Sequence, residues 1–570
     1  MKMSRLFTKT RKQAPADEVA RNAQLLIKAG YIHKEMAGVY AYLPLGLKVI
    51  ENIKAIVREE MNATGGQELI MTSLQRKELW ETTDRWDDEK VDVWFKSSLK
   101  NGTEVGFGWS HEEQITEMMK NYITSYRDLP ANVYQFQTKL RNELRAKSGI
   151  MRGREFVMKD AYTYSRSDEE HQKIYDAITE AYLRVFERVG LGDVTFVTFA
   201  SGGAFTQYSH EFQTLSEAGE DIVFRVPSTG ETFNEEIAPA KAAAVKADKE
   251  LLPMQSIEGK GVIGVEALAK QMGIAPEKTT KTMLYQAADG AVIAVVIRGG
   301  RKINEEKLAA IAGSSVKLAD EATVKRVTGA EIGYAGLLNL PSDVRIIVDD
   351  SCAGLTNFEM GANKTNYHNC NVNWGRDLPE PEQFYDIKIA VSGDLHPETG
   401  EVYEVHKAAE VGNIFSFGTT KSEQLGLYFS DEDGTERPVV LGSYGIGITR
   451  LMGVLVEHFA DERGIVWPEN VAPYQVVLVR LGASDEVTAE ADALYEKLQS
   501  SGVTVLYDDR DARAGEKFAD ADLIGIPHRV VISEKLVAAG KVEYKHRTKA
   551  EPELLTTKEL EKRLRSPMKH

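Results

Sequence analysis

The sequence predicts a multidomain fold that combines α/β and α+β architecture. Its 570 residues exceed what one hydrophobic core serves, because single domains hold about 100–200 residues. Residues 133–140 alternate between apolar and polar side chains, and a second such run follows a glycine-bearing turn, which indicates an antiparallel hairpin. A strand, helix, strand, helix and strand follow Pro473 in that order. We therefore expect about three or four domains, the last of them a βαβαβ unit.

The segment up to about residue 221 predicts helices packed on antiparallel strands. A helix is expected over residues 15–30, since Pro15 suits its first turn and Gly30 suits its stop. Apolar residues at helical spacing predict an amphipathic helix over residues 43–61. The remaining predicted elements are a strand at 68–71, the hairpin strands at 133–140 and 155–161, and a long helix at 168–189.

Composition shifts near residue 225, where Ala-rich helical segments and apolar runs such as residues 291–299 predict a separate α/β unit. Antiparallel strand signals return over residues 407–467 and end in a Gly-rich strand-to-helix junction. Right-handed crossovers are expected in the last unit, which has predicted strands at 474–481, 503–509 and 528–533 and predicted helices at 484–501 and 516–524.

Composition excludes several classes of protein. Apolar residues make up 42% and charged residues 27%, which are ordinary globular values, and no apolar run approaches the about 20 residues of a membrane span. The basic N-terminus has no apolar segment, so it does not read as a secretory signal. Cys352 and Cys370 form no CxxC pair, which argues against a zinc ribbon and fits a reducing cytoplasm.

The formal net charge of −16 argues against a protein that coats DNA nonspecifically, because phosphate binding needs a cationic surface. Basic residues are nevertheless concentrated between Lys139 and Lys159 and in the tail after Gly540. Local binding of nucleic acid therefore stays open.

The tripeptide Arg141-Asn-Glu143 closes the first hairpin strand, and Arg152 and Phe156 follow across the turn. On a strand, Arg141 and Glu143 would project to the same face. A guanidinium and a carboxylate so placed can hold a phosphate and a base amino group, while an aromatic ring can stack on a base. The alternative is a solvated cross-strand ion-pair face.

Residues 442–450, Gly-Ser-Tyr-Gly-Ile-Gly-Ile-Thr-Arg, lead into an apolar helix. Glycines let a backbone approach a ligand or a neighbouring strand closely. Arg450 at the helix start gains nothing from the helix dipole, which suggests an anionic partner. Tight packing of the glycines is the alternative, since the third glycine of a dinucleotide-binding GxGxxG is absent.

A third constellation is Ser110-His-Glu112-Glu113. A carboxylate beside a small hydroxyl residue could bind a substrate ammonium group. Ser110 could equally cap a helix, with Glu113 three residues later. Both interpretations can hold together, because Glu112 would remain available to a ligand.

In this order the three constellations resemble those of class II aminoacyl-tRNA synthetases, and among them the bacterial-type prolyl-tRNA synthetase family. Residues 38–68 resemble the family's motif 1, residues 141–162 its motif 2 and residues 442–450 its motif 3. The resemblance covers nearly the whole chain. It implies a catalytic core on an antiparallel sheet at residues 1–224 and 406–470, an inserted α/β editing domain at 225–405, and a C-terminal βαβαβ anticodon-binding domain at 471–570.

The resemblance implies that L-proline is activated with ATP and Mg²⁺ and transferred to tRNA(Pro). It implies a cytoplasmic homodimer with no membrane or DNA partner, formed through the helix at 43–61, and assigns no protein ligands to a metal. The implied catalytic and ATP-binding residues are Arg141, Glu143, Arg152, Phe156, Ser443, Gly445 and Arg450. The implied proline-binding residues are Ser110, Glu112, Arg141 and Asn413, the last standing where the family has a histidine.

A pocket built for proline cannot strongly exclude alanine, because each missing methylene is worth only about 1–3 kcal/mol. The resemblance therefore implies hydrolysis of mischarged alanyl-tRNA in the inserted domain. Its residues would be Lys281, with Lys278 as the alternative, Asp349 and His368; ordinary surface charges are the competing interpretation. The implied anticodon-binding residues are Arg510, Lys517, Phe518 and Asp520, although Phe518 fits a core position equally well.

Three competing interpretations remain. The first is a synthetase for threonine or histidine, and the inserted domain between motifs 2 and 3 argues against both. An RNA-binding regulator that lost catalysis is opposed by the intact Arg141, Glu143 and Arg450. A deacylase that only clears mischarged tRNA predicts hydrolysis of alanyl-tRNA without amino-acid-dependent pyrophosphate exchange.

Overall fold

The structure is a computed structural model that describes residues 1–146, 148–201 and 208–565. Two compact units make up the chain: the first comprises Met1–Val197, Gly202–Glu220 and Lys407–His570, and the second comprises Thr198–Ser201 and Asp221–His406. Lys147 and residues 566–570 of the basic tail lie outside the described residues. Within the described ranges, no helix is both long enough and apolar enough to cross a membrane.

The elements up to residue 220 mix helices and strands. The helices are α1 (Arg21–Lys28), α2 (Pro44–Ala63), α3 (Lys77–Glu81), α4 (Glu112–Met119) and α5 (Asp168–Arg188). The strands are β1 (Ile32–Met36), β2 (Val39–Tyr42), β3 (Gln67–Glu68), β4 (Leu74–Arg76), β5 (Lys96–Ser98), β6 (Glu104–Phe107), β7 (Ala131–Leu140), β8 (Glu155–Ser165), β9 (Thr195–Ser201) and β10 (Tyr208–Leu215).

The second unit has its own strands and helices: β11 (Asp221–Arg225), β12 (Thr232–Asn234), β13 (Gln255–Glu258), α6 (Val265–Met272), β14 (Thr280–Ala287), β15 (Val292–Arg298), α7 (Glu305–Ala312), β16 (Val316–Leu318), α8 (Glu321–Thr328), β17 (Arg345–Val348), β18 (Phe358–Gly361) and β19 (Tyr367–Val372). Strands β16, β14, β15 and β17 form one sheet in that order, and β13, β19 and β18 form another. This mixed composition matches the α/β character predicted for the segment.

The rest of the chain returns to the first unit: β20 (Glu404–Gly418), α9 (Thr420–Leu425), β21 (Tyr428–Ser430), β22 (Glu436–Pro438), β23 (Val440–Gly447), α10 (Ile448–Phe459), β24 (Val476–Leu481), α11 (Asp485–Ser500), β25 (Val505–Asp508), α12 (Ala514–Ile524), β26 (His528–Ser533), α13 (Glu534–Ala538), β27 (Val542–His546), β28 (Glu553–Leu555) and α14 (Thr557–Arg565).

An antiparallel sheet carries the first unit, with strands in the order β10, β20, β23, β8, β7 and β3, the last parallel to β7. The hairpin predicted from alternation is β7–β8, and it pairs from Ala131 with Tyr164 to Leu140 with Glu155. Helix α2 packs against α5 and α10, and α5 and α10 pack against strands β8 and β23, so the apolar sides of the three helices are buried. The end of β7, the start of β8 and the end of β23 share one edge of the sheet.

Helix α1 begins at Arg21, so the expected start at Pro15 is wrong. Glu18 explains the difference, because its carboxylate accepts hydrogen bonds from Tyr40 Oη at 2.7 Å and from the backbone amide of Ala20 at 3.2 Å. These contacts hold the segment before Arg21 in a non-helical form, with a turn in which the amide of Glu18 donates to the carbonyl of Pro15 at 3.0 Å. Gly30 ends the region with a positive φ of 78°, as its position predicts.

Strand β3 is shorter than the predicted strand at 68–71. Beyond Glu68, side chains replace the backbone ladder: Gln135 Oε1 accepts from the amide of Met71 at 2.9 Å, and Gln137 Nε2 donates to its carbonyl at 2.7 Å. The chain therefore stays extended there without regular strand pairing.

The C-terminal domain has the predicted βαβαβ core. Strands β25, β24 and β26 are parallel neighbours, and the antiparallel β27 and β28 extend the sheet beyond the prediction. The N-terminal segment lies along the outer edge of β25: the amide of Tyr507 donates to the carbonyl of Met1 at 2.8 Å. Ser4 Oγ donates to Asp509 at 2.6 Å, and Thr10 Oγ1 donates to Asp520 at 2.7 Å.

Candidate active site

Glu112 is the buried carboxylate at the centre of the site. It begins helix α4 with only 2% of its surface exposed. Ser110 Oγ donates to Glu112 Oε1 at 2.7 Å, and Ser443 Oγ of β23 lies 3.4 Å from the same oxygen. The helix cap is His111, without a side-chain capping bond, so Ser110 holds the carboxylate and the capping interpretation is wrong.

Glu113 has a different task from its neighbour. It is fully buried and accepts from Arg85 at 2.8 Å, from Lys421 at 2.7 Å and from Thr83 Oγ1 at 2.9 Å. Arg85 also reaches Glu112 Oε2 at 3.5 Å. A buried carboxylate needs such partners to remain ionised, and their charges lower the pKa of Glu113 against the opposing effect of burial. The cluster fixes the start of α4.

A second buried network supports the same turn. Lys139 Nζ lies 2.6 Å from His111 Nδ1 and donates to Asp160 Oδ2 at 2.8 Å. Tyr162 Oη also donates to Asp160, at 2.7 Å. Burial first, and the Lys139 charge second, lower the pKa of His111 to about 3. The imidazole is therefore neutral at physiological pH. Burial also lowers the pKa of Lys139, and the Asp160 charge opposes that effect.

The basic run between Lys139 and Lys159 is not an RNA-binding surface at its two ends. Lys139 is 1% exposed and Lys159 is fully buried. Lys159 Nζ donates to Tyr182 Oη at 2.5 Å, and burial lowers its pKa well below the usual value. A count of basic residues in the sequence cannot show that these two lysine side chains are buried.

Arg141 lies just beyond the end of β7, and its guanidinium rests over the ring of Phe156, 5.2 Å from the ring centroid. Its Nε donates to the carbonyl of Trp109 at 3.4 Å. Among the described residues, no carboxylate comes within ion-pair distance of it. Burial lowers the pKa of Arg141, and the neighbouring Arg450 charge lowers it further. The geometry thus leaves a cation whose charge is incompletely neutralised.

Glu143 does not lie on a strand, because β7 ends at Leu140, so the expectation of a shared strand face with Arg141 is wrong. A tight turn follows instead, in which the amide of Glu143 donates to the carbonyl of Arg141 at 2.8 Å. The Glu143 carboxylate pairs with Arg152 at 3.0 Å, and Arg152 also pairs with Glu220 at 2.9 Å. The cross-hairpin ion pair of the competing interpretation is therefore present.

Arg450 stands in the first turn of α10. Its Nε donates to the carbonyl of Met151 at 2.7 Å, and its Nη1 contacts both the carbonyl and the carboxylate of Glu410, at 2.7 and 3.2 Å. These bonds orient the guanidinium toward the edge where Arg141 lies, which explains why the two cations influence each other.

The glycines of the 442–450 segment fall into two groups. A Cβ on Gly442 would come within 2.3 Å of Tyr444 Oη, and one on Gly447 within 3.1 Å of Arg450 Cβ, so tight packing favours glycine at both positions. A Cβ on Gly445 would make only an ordinary 3.5 Å contact with Met158. Packing within the chain therefore does not require a glycine at position 445. The remaining explanation for Gly445 is that a ligand approaches the backbone of β23 closely there.

Asn413 lies in the centre of β20, opposite Gly445 on one side and Glu211 on the other. Its Nδ2 is 3.3 Å from Glu410 Oε1 and 3.4 Å from Glu211 Oε1. Its buried Oδ1 has no hydrogen-bond partner among the described residues. This amide is therefore able to accept a hydrogen bond or coordinate a cation.

The site combines the guanidinium of Arg141, which has no carboxylate partner among the described residues, and the guanidinium of Arg450, which is paired with Glu410. An aromatic ring, a glycine-lined strand and a buried carboxylate complete it. Such a set can bind a polyanion with a flat base beside a cationic amine. Sequence reasoning did not identify the supporting groups Arg85, Lys139, Asp160 and Glu410. A signal was available for Asp160, since it lies between Met158 and Tyr162 on a face of β8 that is otherwise apolar or aromatic.

The second unit encloses a cavity of about 230 Å³, lined mainly by apolar side chains together with Lys281, Glu359 and His368. His368 Nδ1 lies 2.8 Å from Glu359 Oε1, and its Nε2 lies 3.0 Å from the carbonyl of Val262. Lys281 donates to the carbonyl of Arg301. The structure thus brings two of the expected residues together.

Asp349 does not line this cavity. Its fully buried carboxylate accepts from the amides of Ser351 and Ile387 at 2.9 and 3.1 Å. It caps the short turn after β17, which is a structural position. Lys278, the alternative to Lys281, pairs with Asp248 and is also outside the cavity.

The four residues expected to face the anticodon are close together but mostly satisfied within the domain. Arg510 pairs with Asp508 and Asp520, each at 2.8 Å. Lys517 is 2% exposed and donates to the carbonyls of Arg480 at 2.7 Å and Asp508 at 3.3 Å. Phe518 is half-buried against the core, with the Arg529 guanidinium 4.6 Å from its ring centroid.

Comparison with known families defines the class of this fold and site. A family model described as "tRNA synthetase class II core domain (G, H, P, S and T)" matches residues 95–459. A second, described as "Anticodon binding domain", matches residues 475–566. The chain therefore has a class II synthetase core and an anticodon-binding domain, and this part of the predicted fold class is confirmed.

Similar proteins narrow the class. The proline–tRNA ligases of Burkholderia thailandensis and Burkholderia pseudomallei are each 40% identical to this chain over 563 residues, covering 97% of this chain and 97% of each relative. A crystal structure of prolyl-tRNA synthetase from Cryptosporidium parvum complexed with L-proline and AMP matches with a TM-score of 0.53 and 15% identity, covering 95% of this chain and 73% of that one. The chain belongs to the proline–tRNA ligase family, which confirms the resemblance seen in its motifs.

Proposed function

We propose that this chain activates L-proline with ATP to prolyl-adenylate and transfers the prolyl group to the 3′ end of tRNA(Pro). The observation that carries the proposal is the convergence of Arg141, Arg450, Phe156 and Glu112 at one edge of the sheet, in a chain of this family. Activation needs little acid–base chemistry, because the proline carboxylate attacks the α-phosphate in line and pyrophosphate leaves. Positioning and positive charge are the principal sources of rate.

In this proposal Arg141 holds the α-phosphate together with the attacking carboxylate. Its guanidinium lacks a carboxylate partner among the described residues, so it can accept these anions without first losing an ion pair. Phe156 stacks on adenine, and Gly445 lets the nucleotide approach β23 closely. Arg450, oriented by Glu410, neutralises charge on the γ-phosphate.

Adenine recognition by Glu143 requires a rearrangement. Its carboxylate is engaged by Arg152 at 3.0 Å, and the same carboxylate is assigned to the adenine amino group. ATP therefore exchanges partners: the base amino group takes Glu143, and Arg152 turns to the phosphates. Both groups are partly exposed, so the ion pair that opens is a weak one.

Proline binding is assigned to Glu112, with Ser110 and Asn413 beside it. The buried carboxylate accepts from Ser110 at 2.7 Å, which leaves its remaining lone pairs for the imino group of the substrate. The Arg85 and Lys421 charges are already engaged with Glu113. Glu112, whose contact with Arg85 is longer at 3.5 Å, is therefore the carboxylate assigned to the imino group of the substrate.

Mg²⁺ is assigned to the phosphates of ATP. The oxygens of Glu211, Glu410 and Asn413 fit such an ion, because carboxylate and amide oxygens are the ligands it prefers and Asn413 Oδ1 has no partner among the described residues. When bound, the ion would neutralise phosphate charge and orient the leaving pyrophosphate.

Hydrolytic editing of alanyl-tRNA(Pro) is assigned to the cavity of the second unit. Its volume of about 230 Å³ and apolar walls suit a small side chain, and the His368–Glu359 pair at 2.8 Å offers polar groups to the aminoacyl ester. Lys281 is assigned to the tRNA end. Asp349 is left with a structural role, because its carboxylate is satisfied by backbone amides.

His368→Ala tests the editing site. We expect hydrolysis of alanyl-tRNA(Pro) to fall at least tenfold, measured with purified mischarged tRNA, while His406→Ala in the same unit serves as the control. Proline-dependent pyrophosphate exchange is measured alongside. A parallel loss of both activities in His368→Ala would contradict a separate editing site.

The remaining assignments concern assembly and location. The chain is proposed to act in the cytoplasm as a homodimer, with a second copy pairing near the end of α2 and the edge strand β3. Ile70 beyond that strand is 76% exposed and Leu74 is 50% exposed, although most of the apolar side of α2 is buried within the chain. The domain after residue 475 is proposed to bind the anticodon.

ATP–pyrophosphate exchange across a panel of amino acids tests the activation step. We expect strong exchange with proline and weaker exchange with alanine and cysteine, and none with threonine or histidine. Strong exchange with another amino acid in place of proline would mean that the assigned substrate is wrong. Folded protein that exchanges with none of them would favour the regulatory or deacylase interpretation.

A further inference from the structure

Glu469, His528 and His546 form a cluster that the aminoacylation site does not use. Glu469 lies on the connection between α10 and β24, His528 begins β26 and His546 ends β27. Their potential ligand atoms all lie within 4.8 Å of one another. The cluster is half-buried or buried, unlike a solvated surface cluster.

Both imidazoles direct Nε2 at the same carboxylate oxygen. Glu469 Oε1 is 3.2 Å from His528 Nε2 and 3.7 Å from His546 Nε2. Zn²⁺ binds nitrogen and oxygen ligands at about 2.0–2.1 Å in tetrahedral geometry, which corresponds to ligand-to-ligand separations of about 3.3–3.4 Å. The two measured distances bracket that value, so an ion could enter with small side-chain adjustments.

A hydroxyl group contacts the other ring nitrogen of each histidine. Tyr544 Oη lies 2.9 Å from His528 Nδ1, and Thr548 Oγ1 lies 2.8 Å from His546 Nδ1. The backbone amide of Thr548 also donates to His546 Nδ1, at 3.4 Å. At His528, a hydroxyl that accepts from Nδ1–H gives the tautomer with a lone pair on Nε2 and orients the ring. At His546, the same tautomer requires that the weak contact with the Thr548 amide is given up when an ion binds.

Space and charge beside the cluster also suit a cation. A cavity of about 90 Å³ adjoins Glu469 and His528, which is room for a water as fourth ligand. Arg563 is the other charged side chain that lines it among the described residues. Its guanidinium is paired with Glu553 at 2.9 Å, so its charge is largely neutralised.

We propose that Glu469, His528 and His546 bind one divalent transition-metal ion of the Zn²⁺ type. Two imidazoles and one carboxylate match the donor preference of Zn²⁺ and are a poor set for Mg²⁺ or Ca²⁺, which select oxygen. The ion ties the connecting segment to strands β26 and β27. Its role is therefore to stabilise the attachment of the C-terminal domain, and it takes no part in the aminoacylation chemistry.

Calorimetric titration of the full chain with ZnCl₂ tests the site, using protein without a histidine tag and stripped of metal. We expect one equivalent of Zn²⁺ to bind, and a rise in the thermal unfolding midpoint upon binding. Co²⁺ in place of Zn²⁺ should give the strong visible absorption of tetrahedral coordination. Glu469→Gln and His546→Gln should each weaken Zn²⁺ affinity at least tenfold.

Two controls match these variants. Glu462→Gln removes an exposed carboxylate from the same connecting segment, and His33→Gln removes an exposed imidazole; neither should alter the affinity. The titration of the wild-type chain tests Zn²⁺ binding by itself, so the test does not depend on whether the variants fold. Wild-type protein that binds no equivalent of Zn²⁺, or variants that bind as tightly as wild type, would show a purely hydrogen-bonded Glu-His-His cluster and overturn the proposal.

Discussion

The activation site and the predicted anticodon-facing set differ in how their charges are satisfied. At the activation site, Arg141 has no carboxylate partner among the described residues and lies near a second guanidinium, Arg450. In the C-terminal domain, Arg510 is paired with two carboxylates and Lys517 is bonded to two backbone carbonyls. The resemblance to the synthetase family implied a binding role for both sets.

This difference shows how a charged side chain that binds a ligand can be distinguished from one that stabilises the fold. A buried guanidinium that lies near a second one and has no carboxylate partner of its own costs free energy in the free protein, and this cost is relieved when an anion binds. Charges already engaged must lose bonds before they can bind a ligand. We therefore expect substitutions at the first set to change catalysis and substitutions at the second to change stability first.

Arg141→Ala gives the largest expected effect. Removing the α-phosphate contact should lower proline-dependent pyrophosphate exchange about 10³-fold or more, as the loss of a guanidinium on a transferring phosphoryl group does. Arg326→Ala, which removes an exposed arginine of α8, is the control. Exchange within tenfold of wild type would contradict the phosphate role.

Glu112→Gln should have the next largest effect. A bond from the imino group to a charged acceptor is worth about 1.5–3 kcal/mol, so the KM for proline should rise about 10- to 100-fold. The KM for ATP should change much less, and Glu117→Gln on the same helix controls for altered charge. An equal rise in both KM values would mean that the variant disturbs the fold around α4 instead of proline recognition.

Lys517→Met tests the structural side of the comparison. Its ammonium group satisfies two carbonyls inside the domain, so the free energy of unfolding in urea should fall by about 1–3 kcal/mol. Lys535→Met, at a surface position of α13, should change it by less than about 0.5 kcal/mol. Unaltered stability together with weakened tRNA binding would show that Lys517 contacts RNA, and would contradict the structural role given to it in this comparison.

His111→Gln gives the smallest expected effect, which appears in the pH dependence of stability. The pKa of His111 is about 3 in the folded chain and 6.5 in the reference state, so the unfolded state binds the additional proton. The wild-type free energy of unfolding should fall as pH drops below 6.5, by up to about 1.4 kcal/mol per pH unit from this residue. His111→Gln should lack that component between pH 6 and 4.5, whereas His33→Gln should retain it.

The sequence predicted the large elements because their periodicity reflects burial. The β7–β8 hairpin, α2, α5 and the βαβαβ core all follow from alternation or helical spacing. The start of α1 was wrong because Glu18 accepts a hydrogen bond from Tyr40, a residue 22 positions away. The shortened β3 has the same kind of cause, since distant glutamine side chains replace its ladder.

Site residues were harder to predict, because sequence shows a charge without its partner. The motif residues Arg141, Phe156, Glu112 and Arg450 converge as their order in the chain suggested. Lys517 was read as surface, yet it shares helical spacing with the buried Ala521 and Ile524, and that spacing could have revealed it. Asp349 carried no such signal, since its partners are backbone amides.

The N-terminal segment along β25 constrains how the protein can form during synthesis. Ser4 bonds to Asp509, a residue 505 positions later. At about 5–20 residues per second, roughly 25–100 s separate the emergence of these two partners from a ribosome. Ser4 must wait, unpaired, until synthesis has passed Asp509. Completion of this edge is therefore a late event in vectorial folding, and a bulky fusion ahead of Met1 would disturb the domain that contains β25.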